Sequence, residues 1–495
     1  MAALRNLLGQ TAIYGVSSIV GRVMNFFILT PFYTRIFDTA EYGAITELYA
    51  YVAFLLVLLT YGMETAFFRF SSKEKSKAHL IFSTAAISVL ITSCAFIGLI
   101  YLTNQNIADA LGYSSKPEFI ILFGWIVAID TFVTIPFARL RLQNKAVRFA
   151  STNIASIVVN ILLNLFFFMY CPVAVEDGSS WVSSFYSPEF GIGYVFVANV
   201  FASLTKFVLL LPTIAGIRAG FSPTVLKQLL PYGLPLLFLG LAGIVNETFD
   251  RVAFESLSGL PPGEAAAELG IYGACYKVAM LLSIGIQAYR FAAEPFIFSL
   301  SKGHEGERVQ ADAMKYYFIS ALLICMTLIC FEDFSLMLIG EEFRSGAGVI
   351  PILLAAYLLY GTVFNLSFWY KLNDKTLYGA VIAFAGAVIT IVLNVWLVPK
   401  LSYYGSALAT LAAYALMTVI SFTLMRKFHP INYDLKSISV YIATAVIILS
   451  TFKFLALSGW LKYIAAFMGV GGFALFAFIK EKNLIFSNDN RRDNK

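Results

Sequence analysis

Apolar runs of about twenty residues, each ended by a short polar segment, recur along the whole chain. A bilayer core about 30 Å thick needs about 20 apolar residues per helix. Backbone groups in lipid must bond within the protein, so we expect these runs to be helices rather than loops. The ten-residue alternating segments of a membrane barrel do not occur in the sequence. The pattern therefore predicts an all-α integral membrane protein with about fourteen transmembrane helices.

Fourteen runs qualify as spans, and the ninth is the shortest. Together they use nearly all of the hydrophobic residues, which make up 59% of the 495-residue chain. This leaves no sizeable domain outside the membrane and argues against a membrane-anchored catalytic domain. The predicted spans lie near Leu7–Tyr33, Gly43–Phe67, His79–Thr103, Glu118–Ala138, Phe149–Tyr170, Gly191–Ile214, Leu229–Leu257, Ile271–Leu300, Tyr316–Phe331, Ala347–Tyr370, Thr376–Val398, Tyr404–Met425, Ser437–Leu457 and Gly459–Lys480.

Lysine and arginine set the expected orientation, because cytoplasmic segments of membrane proteins carry an excess of both. If the N-terminus is cytoplasmic, the inner segments hold 24 of the 35 basic residues. We therefore expect both termini to be cytoplasmic. The five cysteines and three histidines lack the spacing of a disulfide framework or a metal site, and we expect no cofactor.

A short motif indicates an internal repeat. Glu41-Tyr42-Gly43 precedes span 2, and Glu268-Leu269-Gly270 precedes span 8 at 227 residues' distance. Asn164 and Asn394 each lie shortly before a proline. Similar motifs, which we call corners because each marks the outer start of a span, precede spans 6 and 12 at Glu189-Phe190-Gly191 and Tyr403-Tyr404-Gly405.

The repeat predicts two parallel six-helix lobes around a central cavity, an architecture typical of transporters. The lobes would cover residues 1–214 and 229–425, joined by a cytoplasmic loop at 215–228. Residues 426–495 would add spans 13 and 14 and a cytoplasmic tail. Six prolines lie in or beside the spans, either as hinges or as static kinks. They are Pro136, Pro212, Pro231, Pro235, Pro295 and Pro351.

A charged side chain within a membrane span costs free energy and usually faces a cavity or a partner. The cations, with the amide of Asn25, are the candidate substrate-binding residues. They are Arg22, Lys206, Arg251, Lys277 and Arg290. Four acids are candidates for ion coupling: Asp130, Glu247, Asp250 and Glu294. The remaining acids, Glu47 and Glu64, lie in span 2.

Arg22 is the strongest of these candidates. It belongs to a polar stripe at helical spacing and lies about 16 Å from the outer end of its span. The stripe also contains Thr11, Tyr14, Ser18 and Asn25. At that depth the guanidinium cannot easily reach water, so we interpret Arg22 as a cavity residue that binds phosphate or acidic sugar.

The other charges allow alternatives. Arg251 and Lys277 could instead reach the outer interface, and Lys206 the inner one. The pairs Glu247–Arg251 and Arg290–Glu294 have the i,i+4 spacing of local ion pairs. Asp130 could bind a coupling ion or pair with a buried cation.

The pattern resembles a known family, the polysaccharide-biosynthesis flippases of the multidrug/oligosaccharidyl-lipid/polysaccharide exporter superfamily. The likeness rests on the fourteen spans, the corner motifs, Asp250-Arg251 followed by Gly270-Ile271-Tyr272, and residues 394–407. It implies a transporter in the bacterial inner membrane that moves undecaprenyl-diphosphate-linked oligosaccharide outward. Membrane lipids, polysaccharide assembly proteins and a proton or sodium ion are the implied partners, and nucleic acid is not one.

The resemblance also bears on the substrate and on rival functions. Lipid II flippases carry an additional cavity arginine on span 2, where this chain has Glu47 and Glu64, which disfavours a peptidoglycan precursor. A multidrug antiporter of the same superfamily is the first alternative, although its sites usually favour cations through acidic and aromatic groups. A membrane polysaccharide polymerase is the second, but the longest predicted outer loop, 171–190, has only three acids. We therefore do not expect an enzyme.

Overall fold

The computed structural model describes residue 15 and residues 19–217, 220–299, 304–373 and 375–492. All regular secondary structure within these ranges is helical. Thirteen of the described segments are long and apolar enough to cross a membrane. They match predicted spans 2 to 14 in order, which confirms the all-α membrane fold. Predicted span 1, Leu7–Tyr33, lies only in part within the described residues, because 7–14 and 16–18 are outside them.

The α-helices are numbered in chain order. They are α1 (Thr30–Ile36), α2 (Thr39–Thr60), α3 (Met63–Lys73), α4 (Ala78–Ala110), α5 (Glu118–Leu142), α6 (Ala146–Leu165), α7 (Cys171–Glu176), α8 (Ser180–Ser183), α9 (Gly193–Ile214), α10 (Pro223–Val252), α11 (Phe254–Ser258), α12 (Pro262–Ser299), α13 (His304–Cys330), α14 (Glu332–Leu336), α15 (Ile350–Leu366), α16 (Phe368–Leu372), α17 (Leu377–Leu401), α18 (Tyr403–Phe428), α19 (Leu435–Leu455) and α20 (Gly459–Arg492). Short π-helices cover Asn25–Leu29 and Phe166–Tyr170.

Several helices begin earlier than hydropathy predicts, because their first turns are polar. α12 begins at Pro262, a residue suited to the first helical position, and not near Ile271. The Glu268-Leu269-Gly270 motif therefore lies inside the helix, which corrects its prediction as a corner before span 8. At the first motif, Asp38 caps α2 by accepting a hydrogen bond from the backbone N–H of Glu41 at 2.8 Å.

The glycines of the two matched motifs have a common packing role. A Cβ atom on Gly270 would lie 1.8 Å from the carbonyl oxygen of Thr39, and one on Gly43 would lie 1.9 Å from that of Ala266. The backbones of α2 and α12 therefore touch directly. Small residues permit such an approach between membrane helices.

Predicted span 2 is broken where α2 ends. Tyr61 and Gly62 both have left-handed backbone conformations, with φ of 34° and 71°. A Cβ atom on Gly62 would lie 2.3 Å from the carbonyl oxygen of Gly233 on α10. Both the left-handed conformation and the close contact require glycine at position 62.

The described chain forms two compact units. The first comprises residues up to 274 together with 383–410, and one of its cores surrounds Met63 and Phe67. The second comprises 275–382 together with the residues from 411 onward, and one of its cores surrounds Met326 and Phe473. The lobe boundaries at 1–214 and 229–425 stay a prediction.

Candidate functional site

A charged cavity of about 300 Å³ lies within the first unit, between α2, α3, α5, α6 and α9. Its walls include the apolar side chains of Val57 and Phe137. Charged side chains among membrane helices are costly unless they serve a partner or a pathway, so this cavity is the leading candidate site. Its polar lining consists of Thr60, Glu64, Asp130, Thr134, Asn153 and Lys206.

Lys206 and Asp130 form an ion pair in this cavity. The ammonium nitrogen of Lys206 donates hydrogen bonds to the two carboxylate oxygens of Asp130 at 2.9 and 3.1 Å. About a fifth of each side chain is exposed. The sequence left two interpretations of Asp130, a site for a coupling ion and a partner for a buried cation. The structure shows Asp130 as the partner of the Lys206 cation. Its role in ion coupling stays a prediction.

Glu64 forms the second ion pair of the cavity, with Arg141. The guanidinium of Arg141 lies 5.1 Å from the centre of the Phe68 ring, and its buried Nε makes no hydrogen bond within the described residues. The sequence pattern places Arg141 in an inner loop, so this residue was missed. Its signal was weak, because Arg141 lies with three other basic residues in a segment that hydropathy assigns to the cytoplasm.

Glu47, the other acid of span 2, lies away from the cavity lining. Its carboxylate is buried and accepts a hydrogen bond from the hydroxyl of Tyr113 at 2.9 Å. The nearby Tyr51 hydroxyl donates to the carbonyl of Val252 at 3.3 Å. Burial raises the pKa of Glu255 on α11 to about 7. The two hydrogen bonds join the middle of α2 to the segment between α4 and α5 and to the end of α10.

Arg22 and Asn25 both have exposed side chains near the start of the described chain. Gly21 packs against α6, where an added Cβ would lie 2.5 Å from Ile157 Cδ1. Asn25 begins a π-helix, which changes the helical register and interrupts the predicted stripe. Thr11, Tyr14 and Ser18 lie outside the described residues. Within those residues Arg22 makes no ion pair.

Arg251 and Asp250 are buried near the end of α10. The Nε of Arg251 lies 3.9 Å from Asp250 Oδ1, and its guanidinium also donates to the backbone carbonyl of Glu247. The hydroxyl of Tyr272 donates to Asp250 Oδ2 at 2.5 Å. Burial of Arg251 contradicts the snorkelling alternative for that residue. The side chain of Glu247 is exposed.

A chain of buried hydrogen bonds joins α10, α17 and α18. Thr390 donates to the Asn246 side-chain oxygen at 3.0 Å, and Ser406 donates to that of Asn394 at 3.1 Å. Asn394 itself donates to the backbone carbonyl of Thr390 at 2.7 Å. Such a network fixes the three helices relative to one another, because each buried polar group has a partner.

The second unit contains Lys277, Arg290 and Glu294 on α12, all three half-buried. The i,i+4 pair between Arg290 and Glu294, one of the two interpretations of these residues, is not formed within the described residues. Instead, Glu294 pairs with Lys371 at 3.4 Å, and the Arg290 guanidinium lies 4.5 Å from the centre of the Phe364 ring. The ammonium of Lys371 lies 4.9 Å from the same ring. Two cations therefore share one phenylalanine ring, and the carboxylate of Glu294 pairs with one of them, Lys371.

Another ion pair of the second unit was also missed. Lys315 Nζ lies 2.8 Å from Glu481 Oε2, and both side chains are at least 95% buried. The Tyr441 hydroxyl donates to Glu481 Oε1 at 2.6 Å. By hydropathy, Lys315 precedes span 9 and Glu481 follows span 14, so both look like loop charges. In the structure, α13 and α20 extend beyond the apolar runs and bury them.

Comparisons with known proteins agree with this fold. A family model described as polysaccharide biosynthesis protein matches residues 7–301. A structure of the lipid II flippase MurJ in an inward closed conformation has a TM-score of 0.74 at 13% identity, covering 96% of this chain and 100% of that one. An inward-facing multidrug resistance MATE transporter has a TM-score of 0.60 at 16% identity, covering 85% of this chain and 96% of that one. The multidrug transporter DinF-BH has a TM-score of 0.62 at 15% identity, covering 86% of this chain and 96% of that one. No curated protein matches the sequence.

Proposed function

Because the chain belongs to the polysaccharide biosynthesis protein family, we propose that it is a lipid-linked oligosaccharide flippase. Its substrate would be undecaprenyl-diphosphate-linked oligosaccharide, moved from the inner to the outer leaflet of the bacterial inner membrane. The product would supply O-antigen, capsule or exopolysaccharide synthesis, together with polysaccharide assembly proteins. Both termini would be cytoplasmic.

The observation that carries this proposal is the presence of membrane cations without an acidic partner. Among the described residues, neither Arg22 nor Arg290 is in an ion pair, and Arg290 shares the Phe364 ring with a second cation, Lys371. An unpaired arginine within a membrane helix is stabilised by an anion. The planar guanidinium suits bidentate binding of diphosphate oxygens, and the ammonium adds a point charge.

Translocation would occur by alternating access. The break at Tyr61–Gly62 gives span 2 a point at which α2 and α3 can change direction independently. The direct backbone contacts of Gly62 with Gly233, and of Gly43 and Gly270 with their neighbours, would then be made and broken as the path opens. Such contacts fit bistable packing better than gradual deformation.

Coupling to an ion is the second part of the proposal. Asp130, Glu247, Asp250 and Glu294 are the acids proposed to take part, of which Asp250 has the strongest support. Its Oδ1 is buried, lies 3.9 Å from Arg251 Nε and makes no hydrogen bond within the described residues. A proton or a sodium ion would satisfy this oxygen, and a membrane potential of 100 mV supplies about 2.3 kcal/mol per charge moved.

A multidrug antiporter is the alternative, and one observation favours it. The cavity of the first unit contains two carboxylates, Glu64 and Asp130, which would attract an organic cation. Each of them is paired with a basic residue, Arg141 or Lys206, so the cavity offers little net negative charge. The flippase proposal is therefore the stronger one.

Reconstituted transport separates the two candidates. Purified protein in liposomes should move a fluorescent polyprenyl-diphosphate oligosaccharide between leaflets and leave a cationic dye unmoved. Arg290→Ala should abolish lipid movement, and Arg290→Lys should restore part of it. Arg426→Ala is the matched control, because Arg426 also lies over a phenylalanine ring, 4.8 Å from that of Phe422, but is exposed on α18. Movement of the dye without movement of the lipid would favour the antiporter.

A further inference from the structure

The segment that follows predicted span 5 is folded, although hydropathy assigns it to a loop. The span continues through the π-helix Phe166–Tyr170 into α7, so one helical segment covers 31 residues, Ala146–Glu176. At 1.5 Å per residue it is about 46 Å long, whereas a hydrocarbon core is about 30 Å thick. The segment is therefore longer than a crossing of the hydrocarbon core requires.

One side of this segment is firmly attached to the first unit. Phe167, Cys171 and Ala174 pack in a buried cluster with Val182 and Tyr194. The backbone N–H of Ser187 donates to the Tyr194 hydroxyl at 2.7 Å. Since Val182 is fully buried, α8 is held in place and its neighbouring side chains point outward in a defined direction.

The opposite side is apolar and exposed. We call it the aromatic patch, and it consists of Met169, Tyr170, Val173, Trp181 and Phe185. Trp181 is 62% exposed. The rings form a row, because Phe166 stacks between Tyr170 at 5.4 Å and Phe185 at 6.3 Å, and Trp181 contacts Phe185 edge-on at 5.2 Å.

The position of the patch indicates what covers it. The exposed apolar surface of α6, which includes Leu162, leads directly into it. Arg148, in the basic segment at the other end of the helix, lies 22 residues before Tyr170, a helical rise of about 33 Å. When Arg148 lies at one membrane interface, Tyr170 lies at the other, where tryptophan and tyrosine are enriched.

We propose that the aromatic patch binds the bilayer itself, at the boundary between headgroups and acyl chains. The rings would insert their apolar faces, while Glu176 and Asp177 at the end of α7 remain in water. The stretch from 149 to 205 contains no lysine or arginine. Binding would therefore be apolar and would not depend on anionic lipid. This inference does not depend on the transported substrate.

Depth-dependent fluorescence quenching in lipid nanodiscs tests the proposal. The emission of Trp181 is obtained as the difference between the unmodified protein and Trp181→Phe, a change at an exposed position. Brominated phosphatidylcholines with bromine near the headgroup or near the chain end serve as quenchers, and aqueous iodide as the competing one. Trp125 on α5, measured through Trp125→Phe, is the control for a deeper, lipid-exposed tryptophan.

Trp181 should lose most emission with the shallow bromine and little with iodide, equally in neutral and anionic lipid. Trp125 should respond more to the deep bromine. Strong quenching of Trp181 by iodide with none by brominated lipid would overturn the proposal and place the patch in water. Protection of Trp181 from iodide that appears only when a soluble oligosaccharide is added would overturn it in favour of a sugar-binding surface.

Discussion

Two of the lysine–carboxylate pairs, Lys206–Asp130 and Lys315–Glu481, have nearly the same chemistry and different surroundings. Their shortest N–O distances are 2.9 and 2.8 Å. The first pair lines a cavity and about a fifth of each side chain is exposed. The second is at least 95% buried and has the Tyr441 hydroxyl as an additional partner. The two pairs have similar N–O distances, and they differ in the exposure of their side chains.

Access determines what each pair can do. A buried ion pair is desolvated in the folded state, so removing one partner leaves an uncompensated charge. Lys315–Glu481 therefore joins α13 and α20 within the second unit as a structural contact. Lys206 and Asp130 line the cavity and are partly exposed, so under the proposed function a substrate or an ion would replace either partner at a smaller cost in free energy.

The largest expected effect on folding is at the buried pair. Lys315→Ala should destabilise the protein by about 3–5 kcal/mol, because Glu481 is left buried without a cation. Thermal unfolding in detergent measures this change. The double variant Lys315→Met with Glu481→Leu is the control, and it should recover most of the loss. A single variant as stable as the unmodified protein would show that the pair is not structural.

A smaller effect is expected at the more exposed pair of Asp333 and Lys462, 2.6 Å apart. The hydrogen bond from Lys462, and then that from Tyr463, lowers the pKa of Asp333. Lys462→Met should cost at most about 1 kcal/mol. Because the pKa is lowered, this contribution is present above the ordinary value of about 3.9 and is lost as pH falls through the lower folded value.

Unfolding midpoints of the Lys462→Met variant and the unmodified protein, compared from neutral to acid pH, test this. The gap between the two should close at acid pH. A gap that widens on acidification would contradict the assigned direction of the pKa change.

The smallest effect on folding is expected at Arg22, which is exposed and makes no ion pair within the described residues. Arg22→Ala should leave the amount of membrane protein unchanged and abolish surface polysaccharide. Lys should restore export in part and Gln should fail, since only Lys keeps the charge. Surface glycan normalised to membrane protein gives the result. Normal export by a stable Arg22→Ala protein would remove this residue from the substrate path.

The sequence predicts the fold well because hydropathy and span length are local properties. All thirteen spans in the described residues were predicted in the right order. Pairings were harder to predict, because they join residues far apart in the chain. Lys206 and Asp130 are 76 residues apart, and both pairs that involve Lys315 and Lys371 were missed. Local spacing allowed an Arg290–Glu294 pair, whereas Glu294 pairs with Lys371, 77 residues further along the chain.

The two asparagines of the predicted repeat also show that hydrogen-bond partners are harder to predict than positions. Asn164 and Asn394, which each lie shortly before a proline, are both fully buried. Each side-chain amide donates to the backbone carbonyl four residues earlier, at 2.8 and 2.7 Å. Their oxygens accept from different helices, through Tyr33 and Ser406 respectively. The sequence pattern singled out these two positions, and only the fold shows their partners.

The most direct test replaces each of the pairs Lys206–Asp130 and Lys315–Glu481 by a Met–Leu pair and measures lipid-linked oligosaccharide movement per folded molecule in liposomes. The variant at Lys315 and Glu481 should move the lipid at a rate close to that of the unmodified protein. The variant at Lys206 and Asp130 should fold and yet lose movement, because the cavity has lost an exchangeable cation and its acid. Full movement by the cavity variant would contradict the account.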